Sequence, residues 1–410
     1  WLKFVAVGAM ESAHSRALAA ASLTALVVAL VLHGRRCRRG RMTPEAAAAP
    51  GASPRLLVTG GAGFVMGNVV LEWLTENRTG FCVVFDRVQA WDEIVQRELA
   101  AFLAEGRLVF FNGDVTSTPS WSKLAAEHGA FTHVVAGAAV TPTPEEEASG
   151  LLRILDVNFM GGARCLDYSH QYCPPSVRVV VVSSDAVLGV SGLLLGESGD
   201  VGNATLPPMS TYALSKVGLE ATARRMRDLY GMSVAVVRFS DVYGRLDRDT
   251  GARNRHNSPY WMCRKALAHA AHRTGQAAPP ALLVAGGSLD DRCWDIVDAP
   301  SVARAICRML GSDQPPQQLV YHIALGYAPN HAEVISALEA AVETTLPVRF
   351  VAPTDDPYAA VKGLFDVQSL DSNHWLLTSP MDITPLAEEF GWQPMALPSA
   401  ISEYVTWLQR

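Results

Sequence analysis

Residues 55–67 read Arg-Leu-Leu-Val-Thr-Gly-Gly-Ala-Gly-Phe-Val-Met-Gly. Leu56, Leu57 and Val58 form a short apolar run that stops at glycines, as a buried parallel strand does. From Gly63 the spacing turns helical: Phe64, Val65, Val69, Val70, Leu71 and Trp73 are apolar, and Asn77 to Gly80 ends the run. A strand, a tight glycine turn and a helix N-terminus together make a phosphate-binding site. Bare backbone N–H groups and the helix dipole both favour an anion there, which assigns Gly60 and Gly63 to it. The next apolar strand, Phe81-Cys82-Val83-Val84-Phe85, closes on Asp86, 26 residues past Gly60. An acidic residue at that distance takes a ribose hydroxyl and argues for NAD. Arg87 could instead meet a 2′-phosphate, which leaves NADP open.

Outward from this turn, short apolar strands alternate with helical stretches. The strands are expected at 55–59, 81–86, 107–111, 132–137, 178–184 and 233–238. That alternation predicts an α/β fold with a doubly wound parallel (Rossmann) sheet over 55–245. After 245 the pattern breaks up. A loop carries Arg245, Arg248, Arg253, Arg255 and His256, and a helical segment spans roughly 259–273. Ligands bind beyond the carboxyl ends of such strands. Residues 246–410 are therefore expected to cap the crevice and form most of the substrate-binding region. A short strand near Val320-Tyr321-His322-Ile323 is expected to return to the main sheet.

The run Ser210-Thr211-Tyr212-Ala213-Leu214-Ser215-Lys216 supplies the chemistry. Tyr212 and Lys216 share one helix face. An ammonium beside a phenol favours the phenolate and makes a tyrosine usable as a general base near neutral pH. Alone the pair is weak evidence, since a tyrosine packing beside a solvated lysine has the same spacing. The glycine turn upstream gives it weight.

With both motifs present, the chain from about residue 54 onward resembles the extended short-chain dehydrogenase/reductases, the NAD-dependent epimerase/dehydratase family. Asp114-Val115 looks like the family's adenine-contacting pair, and Asn158-Phe-Met-Gly161 like the Asn-Val-x-Gly of a later helix. Val182 to Gly189 looks like the serine-rich strand end, which puts the active-site hydroxyl on Ser184. Arg238-Phe-Ser-Asp241-Val-Tyr243-Gly244 resembles the Arg-x-x-Asn-x-Tyr-Gly strand. Asp291 to Asp298 and Asp382 to Pro394 resemble the two late segments. The resemblance implies that Tyr212 is the base, that Lys216 lowers its pKa and holds the nicotinamide ribose, and that Ser184 hydrogen-bonds the reacting oxygen. It also implies a homodimer through about 152–171 and 212–230.

Five positions, in four segments, depart from the family pattern. Met66 stands where the third glycine falls, with Gly67 next; either Gly67 compensates or cofactor affinity suffers. Ala136-Gly137 replaces the His-Leu before Ala138-Ala139. Asp185 is followed by Ala186, not the Glu of the sugar-nucleotide dehydratases, which ranks 4,6-dehydration low. Asp241 replaces an Asn that faces the phosphates of a nucleotide sugar, and a carboxylate there repels a diphosphate unless it is paired. Arg292 matches a phosphate-holding residue. The leading expectation is a sugar-nucleotide epimerase-type enzyme. The alternatives are an NAD(P)-dependent dehydrogenase of a hydroxy compound or sugar acid, and a catalytically weak NAD-binding protein.

Composition sets bounds. With 410 residues, 49% hydrophobic and net charge −6, the chain has ample core and no reason to bind nucleic acid. Seven scattered cysteines read as buried thiols in a reducing compartment, and no metal-ligand spacing occurs. The N-terminal region, 1–54, opens three readings. Ala17 to Leu32 is uncharged, and the five arginines in 33–41 would hold its far side in the cytosol as a membrane anchor. An Ala/Arg/Ser-rich leader also fits an organelle transit segment. Translation from Met42 would leave a cytoplasmic enzyme. Residues 43–54, rich in Ala and Pro, read as a linker.

Overall fold

The computed structural model describes residues 53–87, 93–188, 210–247, 258–272, 279, 281–285, 287–291, 295–351 and 380–410. These all belong to one unit that begins at Ala47. In chain order come β1 (Arg55–Thr59), α1 (Phe64–Glu76), β2 (Phe81–Asp86), α2 (Glu93–Ala104), β3 (Leu108–Asn112), α3 (Thr118–His128) and β4 (His133–Ala136). Next are α4 (Pro144–Ser149), α5 (Leu151–Ile154), a π-helical stretch (Leu155–Gly161) and α6 (Gly162–Tyr172). β5 (Arg178–Val182), α7 (Thr211–Tyr230), β6 (Ser233–Phe239) and β7 (Asp241–Tyr243) follow. The remainder holds α8 (Ser258–Ala270), β8 (Leu282–Ala285), β9 (Ile296–Asp298), α9 (Ala299–Gly311) and β10 (Val320–Ile323). It ends with α10 (His331–Val342), β11 (Val348–Val351), α11 (Thr384–Phe390) and α12 (Leu397–Leu408).

Seven strands make one sheet in the order β3-β2-β1-β4-β5-β6-β10, every pair parallel. This is the doubly wound arrangement expected from the sequence, and its order reverses between β1 and β4. The crevice beyond the strand ends at that reversal is where such folds bind ligands. β10 pairs with β6 in the register His322 to Arg238. Two parallel pairs, β7 with β9 and β8 with β11, stand apart from the main sheet.

Period-two alternation along β1 divides the core. Leu56 and Val58 join Val69, Val70 and Trp73 of α1 and Val302 and Ile306 of α9 on one face. Leu57 joins Phe85, Trp121, Leu166, Leu219 and Ala223 on the other. Burying each such side chain contributes about 1.5–3 kcal/mol before entropy is counted. The C-terminal segment seals the first face: Trp392 Nε1 donates to the Ser301 carbonyl (3.0 Å), and the Met395 N–H donates to Ser301 Oγ (3.0 Å).

β5 ends at Val182, two residues short of the sequence expectation. The reason is local. Ser184 Oγ accepts from the Ala186 N–H (3.2 Å) and opens a short helical turn over Asp185–Leu188. Five described cysteines are free and buried, namely Cys82, Cys165, Cys173, Cys263 and Cys307. No helix among the described residues is long and apolar enough to cross a membrane. The run 17–32 lies outside the described residues, as do Arg248, Arg253, Arg255 and His256.

Candidate active site

The glycine turn sits at the strand-order reversal. Gly60 has φ +74°, a conformation that favours glycine. A Cβ there would lie 2.7 Å from Ala138 Cα, so the turn after β1 and the loop after β4 touch backbone to backbone. Thr59 ties them: its Oγ1 accepts from the Gly137 N–H (3.0 Å) and the Ala138 N–H (3.1 Å). Gly63 is the N-cap of α1 and supplies no side-chain cap. The first N–H groups of that helix therefore face the crevice with the positive end of the dipole. This donor set fits the pyrophosphate of a dinucleotide.

Met66 and Gly137, two of the departures from the family pattern, meet each other. Met66 is buried, and a Cβ on Gly137 would fall 2.7 Å from Met66 Cγ and still closer to its Sδ. The thioether thus fills the volume that a side chain at 137 would need. Gly67, the glycine next to Met66, packs close to both Leu246 and the glycine turn: a Cβ there would lie 3.1 Å from Leu246 Cδ1 and 3.7 Å from the Gly61 carbonyl oxygen.

Asp86 ends β2 beside the turn. Its Oδ2 accepts from the Ala62 N–H (3.2 Å) and its Oδ1 from the Arg87 N–H (2.7 Å). Arg87 reaches 3.8 Å from Asp114 across exposed surface, so Asp86 and Asp114 flank one edge of the crevice. Asp114 Oδ1 accepts from the Thr116 N–H (2.9 Å) and hydroxyl (2.8 Å), which fixes its turn. Val115 is buried, and its carbonyl accepts from Trp121 Nε1 (2.9 Å).

Ser184, Tyr212 and Lys216 come together at the end of β5. Ser210 caps α7 by accepting from the Ala213 N–H (3.0 Å), and Glu147 of α4 takes the Thr211 N–H. Those two contacts set the first turn of α7, which carries Tyr212. Lys216 lies one turn on, 1% exposed, with Nζ donating to the Val182 carbonyl (3.0 Å) and 5.5 Å from the centre of the Tyr212 ring. Burial pushes the Tyr212 phenol up to about 12; the nearby Ser184 hydroxyl pulls it down, and Asp185 pushes it up. The lowered phenol pKa expected from the Tyr-Lys spacing is thus not produced by the chain's own groups. Burial outweighs them. The same burial lowers Lys216 to about 8, with Glu220 opposing.

The carboxylates at the mouth are held in different ways. Asp185 Oδ1 accepts from Ser184 Oγ (2.9 Å), and burial raises its pKa. Asp241 sits on β7, opposite Ile296 of β9. Arg292 lies outside the described residues. The structure adds Asp295, which the sequence reading left without a role. Its oxygens accept from the N–H groups of Leu325 (2.8 Å), Gly326 (3.2 Å) and Met381 (3.1 Å), yet burial raises it to about 7, with Asp185 adding to the rise. Buried Asp295 and half-buried Asp185 thus feel one another at this end of the sheet. No sequence spacing marks Asp295 or Glu147, because both act across loops. Among the described residues no three His, Cys, Asp or Glu side chains gather as a metal site.

Comparison with known proteins agrees with the geometry. Residues 56–324 match the model of the NAD dependent epimerase/dehydratase family. The chain is 24% identical over 347 residues to dTDP-glucose 4,6-dehydratase of Xanthomonas campestris, covering 82% of this chain and 88% of that one. With dTDP-glucose 4,6-dehydratase of Mycolicibacterium smegmatis it shares 31% over 197 residues, which is 46% of this chain and 54% of the relative, about half its length. The fold matches UDP-glucuronic acid 4-epimerase of Bacillus cereus, solved with UDP-glucuronic acid and NAD. That match has TM-score 0.64 and 16% identity, and it covers 87% of this chain and 99% of that one. This chain therefore belongs to the NAD dependent epimerase/dehydratase family, a family of enzymes whose cofactor is NAD.

Proposed function

We propose that this protein oxidises a hydroxyl-bearing carbon of a nucleotide-linked sugar and returns the hydride to the other face, as an epimerase does. The observation that carries the reading is the convergence of Ser184, Tyr212 and buried Lys216 beside the strand-order reversal. Gly60, Gly63, Asp86, Asp114 and Val115 would hold NAD, which supplies a hydride acceptor when bound. Ser184 would hydrogen-bond the reacting oxygen, and Tyr212 would take its proton. A cationic ring near the phenol would favour the phenolate and offset the burial that raises it. Lys216, an ammonium one turn away, would hold the ribose and stabilise the same charge. Asp86, rather than Arg87, sets the preference for NAD over NADP.

Both sequence relatives described above bear the name dTDP-glucose 4,6-dehydratase, and this favours a second reading. Ala186 stands against it, since no carboxylate follows Asp185 to take the proton in an elimination. Arg292 would meet the substrate's anionic part, and Asp241, where the family has Asn, would disfavour a diphosphate there unless paired. Titration with UDP-glucose and with a free sugar acid, in the presence of NAD, tests the substrate class. Binding of the nucleotide alone supports the reading, and binding of the sugar acid alone removes it. Net NADH release during turnover would mark a simple dehydrogenase instead.

Exposed Leu151, Leu152, Met160 and Leu214, on α5, the π-helical stretch and α7, support a homodimer through these helices. Leu152, 77% exposed, is its most informative probe. Leu152→Glu should halve the mass measured by light scattering, and an unchanged mass would exclude this face.

A further inference from the structure

Behind the proposed site lies a buried polar cluster of which the proton step uses Lys216 alone. Ser183 and Glu220 are fully buried, Lys216 is 1% exposed and Arg238 is 2% exposed. Arg238 on β6 grips Glu220 on α7 with two hydrogen bonds, Nε to Oε1 (2.9 Å) and Nη2 to Oε2 (2.7 Å). Ser183, next to Ser184, donates its hydroxyl to the same Oε1 (2.5 Å), and its N–H donates to the Val237 carbonyl (2.8 Å). Lys216, one turn before Glu220, donates instead to the Val182 carbonyl. No Lys216–Glu220 ion pair occurs among the described residues.

Two cations share one carboxylate, and the carboxylate goes to Arg238. Arg238 is itself incompletely satisfied, since its Nη1 is buried without a partner. His322 of β10 stands beside it in the sheet and is kept neutral by burial and by Arg238. A buried ion pair is poor evidence of stabilisation, because desolvation offsets the attraction. Its geometry here has a direct consequence: it engages Glu220 so that a surplus positive charge stays on the Lys216 side, toward Tyr212. It also clamps Ser183 and thereby the residue that follows it.

We propose that Glu220 and Arg238 are positioning residues: Arg238 holds Glu220 away from Lys216, so that the Lys216 ammonium faces Tyr212 while Ser183 fixes Ser184. This rests on the reading of Ser184, Tyr212 and Lys216 given above. The groups facing Lys216 are Tyr212 and Glu220 from its own helix, Val182 and Ser183 from the end of β5, and Arg238 through Glu220 from β6.

The test reads the titration of Lys216 directly and needs no substrate. The chain has five lysines, so ε-carbon-13-labelled lysine gives few NMR signals, and Lys216→Arg identifies the one that matters. Glu220→Gln leaves two buried cations together and should move the Lys216 midpoint down by about 1–3 pH units. Arg238→Gln releases Glu220 to Lys216 and should move it up by a similar amount. The Glu220→Gln/Arg238→Gln double variant should return it close to the wild-type position. Should Glu220→Gln fail to fold, Arg238→Gln decides alone, because it leaves Glu220 a cation one turn away. Opposite shifts in the single variants support the proposal; a midpoint unmoved in folded Arg238→Gln overturns it. Activity loss in Tyr212→Phe tests the hydride reading separately, so failure of one is distinguishable from failure of the other.

Discussion

The turn after β1 and the end of β5 border the same crevice and solve opposite problems. The first leaves atoms out. Gly60 permits backbone contact with Ala138, and Gly137 is a hole that Met66 fills. The second puts charge in. Lys216, Glu220 and Arg238 are all buried, where each unpaired charge is costly. A problem of space can be solved by exchanging volume between two positions, so the family pattern can drift there without loss. A problem of charge has few solutions, and the spacing of Tyr212, Lys216 and Glu220 along α7 must be kept.

The largest effect belongs to the charged side: Tyr212→Phe should lower turnover by about 10²–10⁴-fold, while NAD affinity measured by calorimetry stays within a few-fold of wild type. Next, Glu220→Leu leaves Arg238 and Lys216 buried together and should cost about 3–5 kcal/mol in urea unfolding. A cost below about 1 kcal/mol would mean that solvent reaches this cluster.

The side governed by space should give smaller, compensable losses. Gly137→Leu drives a side chain into Met66 and should destabilise by about 1–3 kcal/mol. Met66→Gly added to it should restore part of that loss, with a coupling of about 1 kcal/mol or more in a double-mutant cycle. Simple additivity would show that the two sites do not share the volume. The smallest effect is on pH dependence. Burial, aided by Arg178 and by Arg238 respectively, pushes His133 down to about 4 and His322 down to about 3. In the unfolded chain each takes a proton near pH 6.5. Stability due to their neutrality is whole above that pH and is lost as pH falls toward the folded values. The histidine part of the unfolding free energy should therefore drop between pH 7 and pH 5, against an opposing gain from Asp295, whose carboxyl burial raises to about 7, and His322→Gln should remove part of that drop. An unchanged slope would place the acid sensitivity elsewhere.

Most of the sheet was legible because its strands are apolar runs ended by glycines or polar residues. Gly60, Asp86, Ser184, Tyr212 and Lys216 were legible because each belongs to a local motif. Three features were not. The exchange of volume between Met66 and Gly137 joins positions 71 residues apart, so each looked like a defect alone. The upward pull on Tyr212 is a burial effect, and helix spacing carries no information on burial. Asp295 gains its environment from loops at Leu325 and Met381, which sequence neighbours do not reveal.

Rapid mixing of the NAD-loaded protein with a nucleotide sugar, watching absorbance of the reduced nicotinamide, reads the hydride step itself. In the wild type the absorbance should rise transiently and decay, more slowly when deuterium replaces hydrogen on the oxidised carbon. Tyr212→Phe that still holds NAD should show no rise. Epimerised sugar formed without any reduced cofactor, or an equal transient in Tyr212→Phe, would contradict that mechanism.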